Sequence, residues 1–383
     1  MTQAIDFIRS IYRTSGPIPL YTPIFAGNEK KYLGECIDYK NVSTVSPFVN
    51  KFEESLVKFT GSKYAVATIN GTSALHLALL LLDIKTGDEV ITQPLTYVAT
   101  ANAITYTGAK PVFIDIDKKT LGLSPLKLEQ FLKEETIRQD GKCYNKTTKA
   151  QIKAILPMHS LGIPSEIEKL SVIAQEYEIP IIEDAAEGLG SFYKNQHVGT
   201  FGKMGILSFN GNKTITTGGG GALLTNDKDL AERALNLSTT AKIKHPYKSM
   251  HSEVAFNYRL PGLNAAMGLA QMEPLEDILD LKRKLAQKYK IFFENTELKF
   301  FIFEKDRNSN HWMNVVECPT EDTRNNFVEA LNKSNINARP IWTLMNNLKM
   351  YEHCQTGNLE NAVRAAKTIA LLPSGVDTSI NLK

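Results

Sequence analysis

Cysteine is scarce in this chain: four among 383 residues, at positions 36, 143, 318 and 354, with no C-x-x-C pair and no metal-like spacing. A disulfide framework or a metal site is therefore not expected, and the four read as free thiols in a reducing compartment. Long apolar runs are missing as well. No stretch approaches the ~20 residues that a membrane-spanning helix needs, and Met1 to Thr14 holds one short apolar patch broken by charge, unlike a signal peptide. Nor does charge of one sign accumulate, since 44 basic residues stand against 41 acidic ones, for a formal net charge of +3. The lysines are scattered, without a dense basic run or interleaved aromatics, so nucleic acid is not an expected partner. These absences predict a cytoplasmic protein with neither membrane span nor metal. Low-complexity tracts and visible repeats are lacking too.

What is present is enough apolar material, 43% of residues, for a sizeable core, and a length that suits one large domain and a smaller one. Between about Ser62 and about Asn226, short strand-like runs alternate with helical stretches. The runs are Tyr64 to Ile69, Glu89 to Thr92, Lys110 to Ile114, Ala154 to Pro157, Ile179 to Glu183, Met204 to Phe209 and Gly221 to Thr225. That alternation predicts an α/β fold with a mostly parallel sheet wrapped by helices. Gln139 to Lys149 reads as a polar surface insertion. Beyond the polar stretch Thr239 to Ser252, Leu263 to Phe293 reads as helical, Trp312 to Cys318 as a strand and Glu321 to Ser334 as a helix. The expected division is a large domain with an N-terminal arm, residues 1–245, and a smaller C-terminal α+β domain, residues 246–383.

Lys213 is lodged between the apolar run Ile206-Leu207-Ser208-Phe209 and four glycines, Gly218 to Gly221. So placed, it reads as a Schiff-base lysine for pyridoxal 5'-phosphate (PLP), a cofactor that needs an amine for its aldehyde, an anion for its ring nitrogen and fixed donors for its phosphate. Asp184 follows the β-branched run Ile179 to Ile182 and would sit at the carboxyl edge of a strand, where open α/β sheets bind ligands. The alternative is an aspartate that caps the Ala185-Ala186 turn. Gly71-Thr72-Ser73 opens a strongly helical run, so free N–H groups, the dipole and two hydroxyls would face an anion. Its alternative is an ordinary Ser/Thr N-cap. Tyr97, in the turn that follows Pro94, is placed to stack on a flat ligand, or is a plain surface or core tyrosine. His76, His159 and His311 are isolated and are given no catalytic role.

These motifs, with Ile18-Pro19-Leu20, Pro47 to Glu53, Gly108 to Phe113, Phe256-Asn257-Tyr258-Arg259 and Gly268 to Gln271, resemble in order and spacing the PLP-dependent nucleotide-sugar aminotransferases of the DegT/DnrJ/StrS group. The likeness covers nearly the whole length. It implies fold type I and a homodimer with shared active sites. It implies Lys213 as the Schiff-base lysine, Asp184 at the pyridine nitrogen, Tyr97 against the ring, and Gly71, Thr72 and Ser208 around the phosphate, to which the helix start adds the Ser73 hydroxyl. Asn257 matches the residue that reaches the phosphate of the partner subunit, whereas Arg259 is open to a plain ion-pair role. Glutamate and a keto-sugar nucleotide are the implied substrates, with pyridoxamine phosphate as the intermediate form of the cofactor.

Three departures bear on the substrate. Asn210 stands where many members carry histidine, Gly219 where glutamate is frequent, and Glu187 where glutamine or histidine is frequent. The combination resembles the subgroup that aminates C4 of UDP-4-keto-6-deoxy-N-acetylglucosamine. Asn210 and Glu187 are counted with the cofactor-binding set; for Glu187 the alternatives are the cofactor's phenolic oxygen, the sugar, or a helix cap. A sugar dehydratase on the same scaffold would carry histidine in place of Lys213. A regulator with a degenerate site would have lost a cofactor contact or gained a DNA-binding module, and neither is seen.

Overall fold

Seven of the aliphatic runs become strands of one sheet. The computed structural model describes residues 2–301 and 307–376. The strands are β1 (Tyr64–Thr68), β2 (Glu89–Thr92), β3 (Lys110–Phe113), β4 (Ile152–Leu156), β5 (Ile182–Asp184), β6 (Met204–Ser208) and β7 (Gly221–Thr225). Two hydrogen-bonded sets, β1-β7-β6-β5 and β4-β2-β3, are joined by parallel bridges between Ile155 and Ile181 and between Met158 and Asp184. Only β7 runs antiparallel to its neighbours. The sheet is thus mostly parallel, and its exception has a cause. Parallel neighbours need a crossover of about a dozen residues or more, usually a helix, whereas the Lys213 stretch returns directly from β6 to β7, closed by Phe209 N–H donating to Gly220 O over 2.8 Å.

Every residue of β2 and of β7 is buried, as expected where both faces of a sheet are covered. Alternate side chains of β7 serve the two faces. Leu223 joins Val66, Val90, Ile182 and Ile206 beneath the helix α2 (Gly71–Leu81). Ala222 and Leu224 join Phe52 and Leu56 of α1 (Pro47–Thr60) and Ala265 and Ala266 further on. Helix α3 (Val98–Tyr106) follows the Pro94 turn.

The stretch read as one helix, Leu263 to Phe293, is two: α4 (Gly262–Met272) and α5 (Leu275–Phe293). Pro274 separates them, because it lacks an N–H and its ring crowds the carbonyl one turn back. Beyond α5 lies a second, antiparallel sheet in the order Lys299–Phe300, Asn314–Glu317, Ile369–Leu372, Arg339–Pro340, flanked by helices Glu321–Lys333 and Glu360–Thr368. The strand expected over Trp312 to Cys318 is confined to Asn314–Glu317. Gln139 to Lys149 is mostly exposed, although Cys143 and Asn145 are buried, and it forms a hairpin in which Thr136–Gln139 pairs antiparallel with Lys142–Asn145. Asp140 and Gly141 have φ of 51° and 70°, the pair of positive values that a type I′ hairpin turn requires. The four cysteines are free and buried. Among the described residues no helix is long and apolar enough to cross a membrane.

Candidate active site

Strands β5 and β6 run parallel with Asp184 opposite Ile206, and they end at Asp184 and Ser208 on the carboxyl edge at which parallel sheets leave room for ligands. Asp184 is buried. Its Oδ2 accepts the Thr100 hydroxyl over 2.7 Å and its Oδ1 accepts Ala186 N–H over 3.1 Å, so it does cap the following turn while also facing α3. Burial pushes its carboxyl pKa up; the bonds from Thr100 and Ala186 pull it down, as do Lys213 and His159. The neighbouring Glu183 is tied to three backbone N–H groups, of Gly199, Phe201 and Gly202, and to His159 Nε2 at 2.9 Å. Because His159 Nδ1 accepts Ser165 N–H over 3.1 Å, the ring proton sits on Nε2 and is donated to Glu183.

Lys213 Nζ lies 3.1 Å from Glu187 Oε1, the two side chains being 12% and 1% exposed. Glu187 Oε2 accepts Leu161 N–H over 2.8 Å. Burial pushes the Glu187 carboxyl up to about 7 against the pull of Lys213. Two buried carboxyls, Asp184 and Glu187, thus share the field of one lysine, and a ring cation placed beside them would favour their charged forms against the cost of burial.

An anion cradle faces the same edge. Asn70, not Thr72 or Ser73, caps α2, its Oδ1 accepting Ser73 N–H over 2.8 Å; the two hydroxyls are left for other work. The N–H groups of Gly71 and Thr72 have no acceptor within the helix. A Cβ on Gly71 would lie 2.9 Å from Ser208 Cβ, so only glycine lets the helix start approach the end of β6. These residues fit PLP: an amine, a buried carboxylate and a phosphate-sized set of donors at one sheet edge.

The remaining candidates are less tightly placed. Tyr97 immediately precedes α3 and is 53% exposed. Asn210 is exposed and its Nδ2 donates to Asn212 Oδ1 over 3.3 Å. Asn257 is exposed, its backbone bridged to Thr239. Arg259 takes the ion-pair alternative, with Nη2 donating to Glu53 Oε2 over 3.0 Å. Sequence reasoning missed Thr100, which lies one helical turn from Tyr97 and could have been found by that spacing. It also missed Tyr21, whose hydroxyl donates to Lys213 O, and Trp312, whose ring centroid lies 4.3 Å from Lys213 Nζ; neither carries a local signal.

The sequence profile of the DegT/DnrJ/EryC1/StrS aminotransferase family matches residues 23–381. The chain belongs to this family. It is 39% identical over 334 residues to a GDP-perosamine synthase of Escherichia coli O157:H7, covering 87% of each chain. To a GDP-perosamine synthase of Caulobacter vibrioides it is 34% identical over 350 residues, 90% of each. The structure of Helicobacter pylori PseC, an aminotransferase involved in the biosynthesis of pseudoaminic acid, superposes with a TM-score of 0.84 at 24% identity, covering 93% of each chain. The family consists of PLP-dependent sugar aminotransferases of fold type I, and this chain is an enzyme of that class.

Proposed function

We propose that the enzyme transfers the amino group of glutamate to the C4 ketone of a nucleotide-linked 4-keto-6-deoxy sugar, with Lys213 as the reactive amine. The observation that carries this reading is the convergence of Lys213, the buried Asp184 and the glycine-opened start of α2 at one sheet edge. When bound, PLP supplies an aldehyde for the incoming amine and a ring that disperses the charge left when Cα loses its proton. The chain does the rest. Asp184, held by Thr100, would keep a ring nitrogen positive; Gly71, Thr72, Ser73 and Ser208 would hold the phosphate; Tyr97 would lie against the ring. Lys213 Nζ takes the proton from Cα of glutamate and, in the second half, delivers one to C4 of the sugar. Glu187 and Asn210 are placed to touch the cofactor or the sugar. Amino acid enters and keto acid leaves before the sugar binds, a ping-pong order. Asn257 of the partner subunit completes the phosphate site in a two-fold dimer, and the division near residue 245 separates a cofactor-binding domain from a smaller one.

Two nucleotides compete. The Asn-Gly-Asn-Lys and four-glycine pattern favours UDP-4-keto-6-deoxy-N-acetylglucosamine, whereas the likeness to two GDP-perosamine synthases favours a GDP-linked sugar. The longer likeness weighs more, and GDP is the proposed carrier. Purified enzyme given glutamate and each 4-keto sugar nucleotide should release 2-oxoglutarate, with kcat/KM at least tenfold higher on the GDP compound. The reverse ratio would restore the UDP sugar, and turnover confined to a 3-keto sugar would overturn C4.

A further inference from the structure

Trp312 lies two residues before the strand Asn314–Glu317 of the second sheet, yet its side chain lies beside the lysine of the first. It is buried, and its Nε1–H donates to Asn212 O over 2.6 Å. Asn310 anchors it: Oδ1 accepts Trp312 N–H over 2.8 Å, while Nδ2 donates to Glu187 O over 2.7 Å and to Leu189 O over 2.8 Å. Ser309 Oγ donates to Gly162 O over 3.0 Å. Gly162 has a φ of 80°, and a Cβ there would lie 2.0 Å from Asn310 Oδ1, so the fit leaves no room for a side chain. One strap, Ser309 to Trp312, therefore fixes both the residue before Lys213 and the main chain of Glu187. A cation within about 6 Å of an indole face is attracted by the ring quadrupole, and Lys213 Nζ lies 4.3 Å from the centroid.

We propose that Trp312 is a positioning residue for Lys213: its indole face holds Nζ beside Glu187 Oε1 whenever the amine is free, keeping it at hand for proton transfer. The inference rests on Lys213 being the reactive amine. An aliphatic side chain of similar bulk would fill the space without attracting the ammonium; phenylalanine would retain an aromatic face but lose the bond to Asn212 O.

The test compares Trp312→Phe and Trp312→Leu in the full-length enzyme. With glutamate alone, the single-turnover rate of the half-reaction should stay within about threefold for Trp312→Phe and fall tenfold or more for Trp312→Leu. The isotope effect from Cα-deuterated glutamate should grow in the leucine variant, and apparent glutamate affinity should change less than the rate. After cofactor removal, trinitrobenzenesulfonate should label Lys213, read by peptide mass spectrometry, several-fold faster in Trp312→Leu than in the wild type or Trp312→Phe. Equal rates and equal labelling in the two variants would overturn the proposal. Should the leucine variant not fold, a tenfold loss in Trp312→Phe would overturn it by assigning the effect to the bond with Asn212, and a near-wild-type rate and labelling would support it. Lys213→Ala separates the two readings: if it keeps transamination, the reactive-amine assignment fails whatever Trp312 does.

Discussion

Gly221 lies against Asn70 so closely that a Cβ on it would fall 2.5 Å from the Asn70 carbonyl carbon and 2.6 Å from Gly71 N. The first residue of β7 is thereby wedged into the start of the helix assigned to the phosphate. Gly221→Ala must push the two apart, an overpacking that costs about 1–3 kcal/mol. The expected outcome is PLP affinity at least tenfold weaker with a lower Tm, while kcat at saturating PLP falls less. A spectrophotometric PLP titration checks it, and unchanged affinity would refute it.

Thr100→Val keeps the shape of the side chain and removes the hydroxyl that Asp184 Oδ2 accepts. A hydrogen bond to a charged group contributes about 1.5–3 kcal/mol, so Tm should fall somewhat, and the half-reaction with glutamate should slow by about tenfold or more even well below the variant's Tm. Losing a donor to the charged form raises the Asp184 pKa further, so the acid limb of the pH–rate profile should move to higher pH. A limb that moves down or stays put would contradict the assignment.

Lys282 is buried, with Nζ donating to Ser374 O over 3.1 Å and lying 4.8 Å from the Tyr21 ring centroid. Burial lowers its pKa from 10.5 to about 7. A lysine with a folded-state pKa below its unfolded value binds fewer protons in the fold, so its charge opposes folding fully below pH about 7 and progressively less as pH rises toward 10.5. Between pH 7 and 10 the wild type should therefore lose less Tm than Lys282→Met, or gain where the variant does not. Parallel Tm curves would show that the lysine stays charged in the fold.

Arg259 and Glu53 form an ion pair in which Glu53 Oε1 also accepts Ala67 N–H over 2.6 Å. Arg259→Met leaves that carboxylate without its cation, and removal of one partner of a buried pair costs about 3–5 kcal/mol. Adding Glu53→Met should recover part of the loss. Urea unfolding of the single and double variants checks it; additive losses would show that the two side chains are not coupled.

Asn257 is exposed in the single chain, as a residue serving a neighbouring subunit would be. Mixing Lys213→Ala with Asn257→Ala protein should regenerate one competent site per heterodimer. Failure to recover activity despite subunit exchange would remove Asn257 from the site.

The sequence announced what is local. Lys213 among glycines, Asp184 at the end of an aliphatic run and Gly71 at a helix start each depend on a few adjacent residues, and the strands follow their β-branched runs. Thr100 was within reach of the Tyr97 turn by its spacing, whereas Tyr21 and Trp312 come from segments far along the chain, and only the folded topology brings them to the sheet edge. The break at Pro274 and the Asp140-Gly141 hairpin were available from turn chemistry but were submerged, the first in a long helical pattern and the second in a polar stretch. Substrate identity was least legible, because the loops that would recognise the nucleotide have no fixed spacing.

The direct return from β6 to β7 also sets an order of assembly. Closing a short loop costs little chain entropy, and the cost grows with the logarithm of length, so the lysine's own turn forms at small expense. The bond from Trp312 to Asn212 spans 100 residues of sequence. During synthesis the amine is therefore shaped well before its cover exists, and a nascent chain that ends short of Ser309 presents Lys213 without its indole.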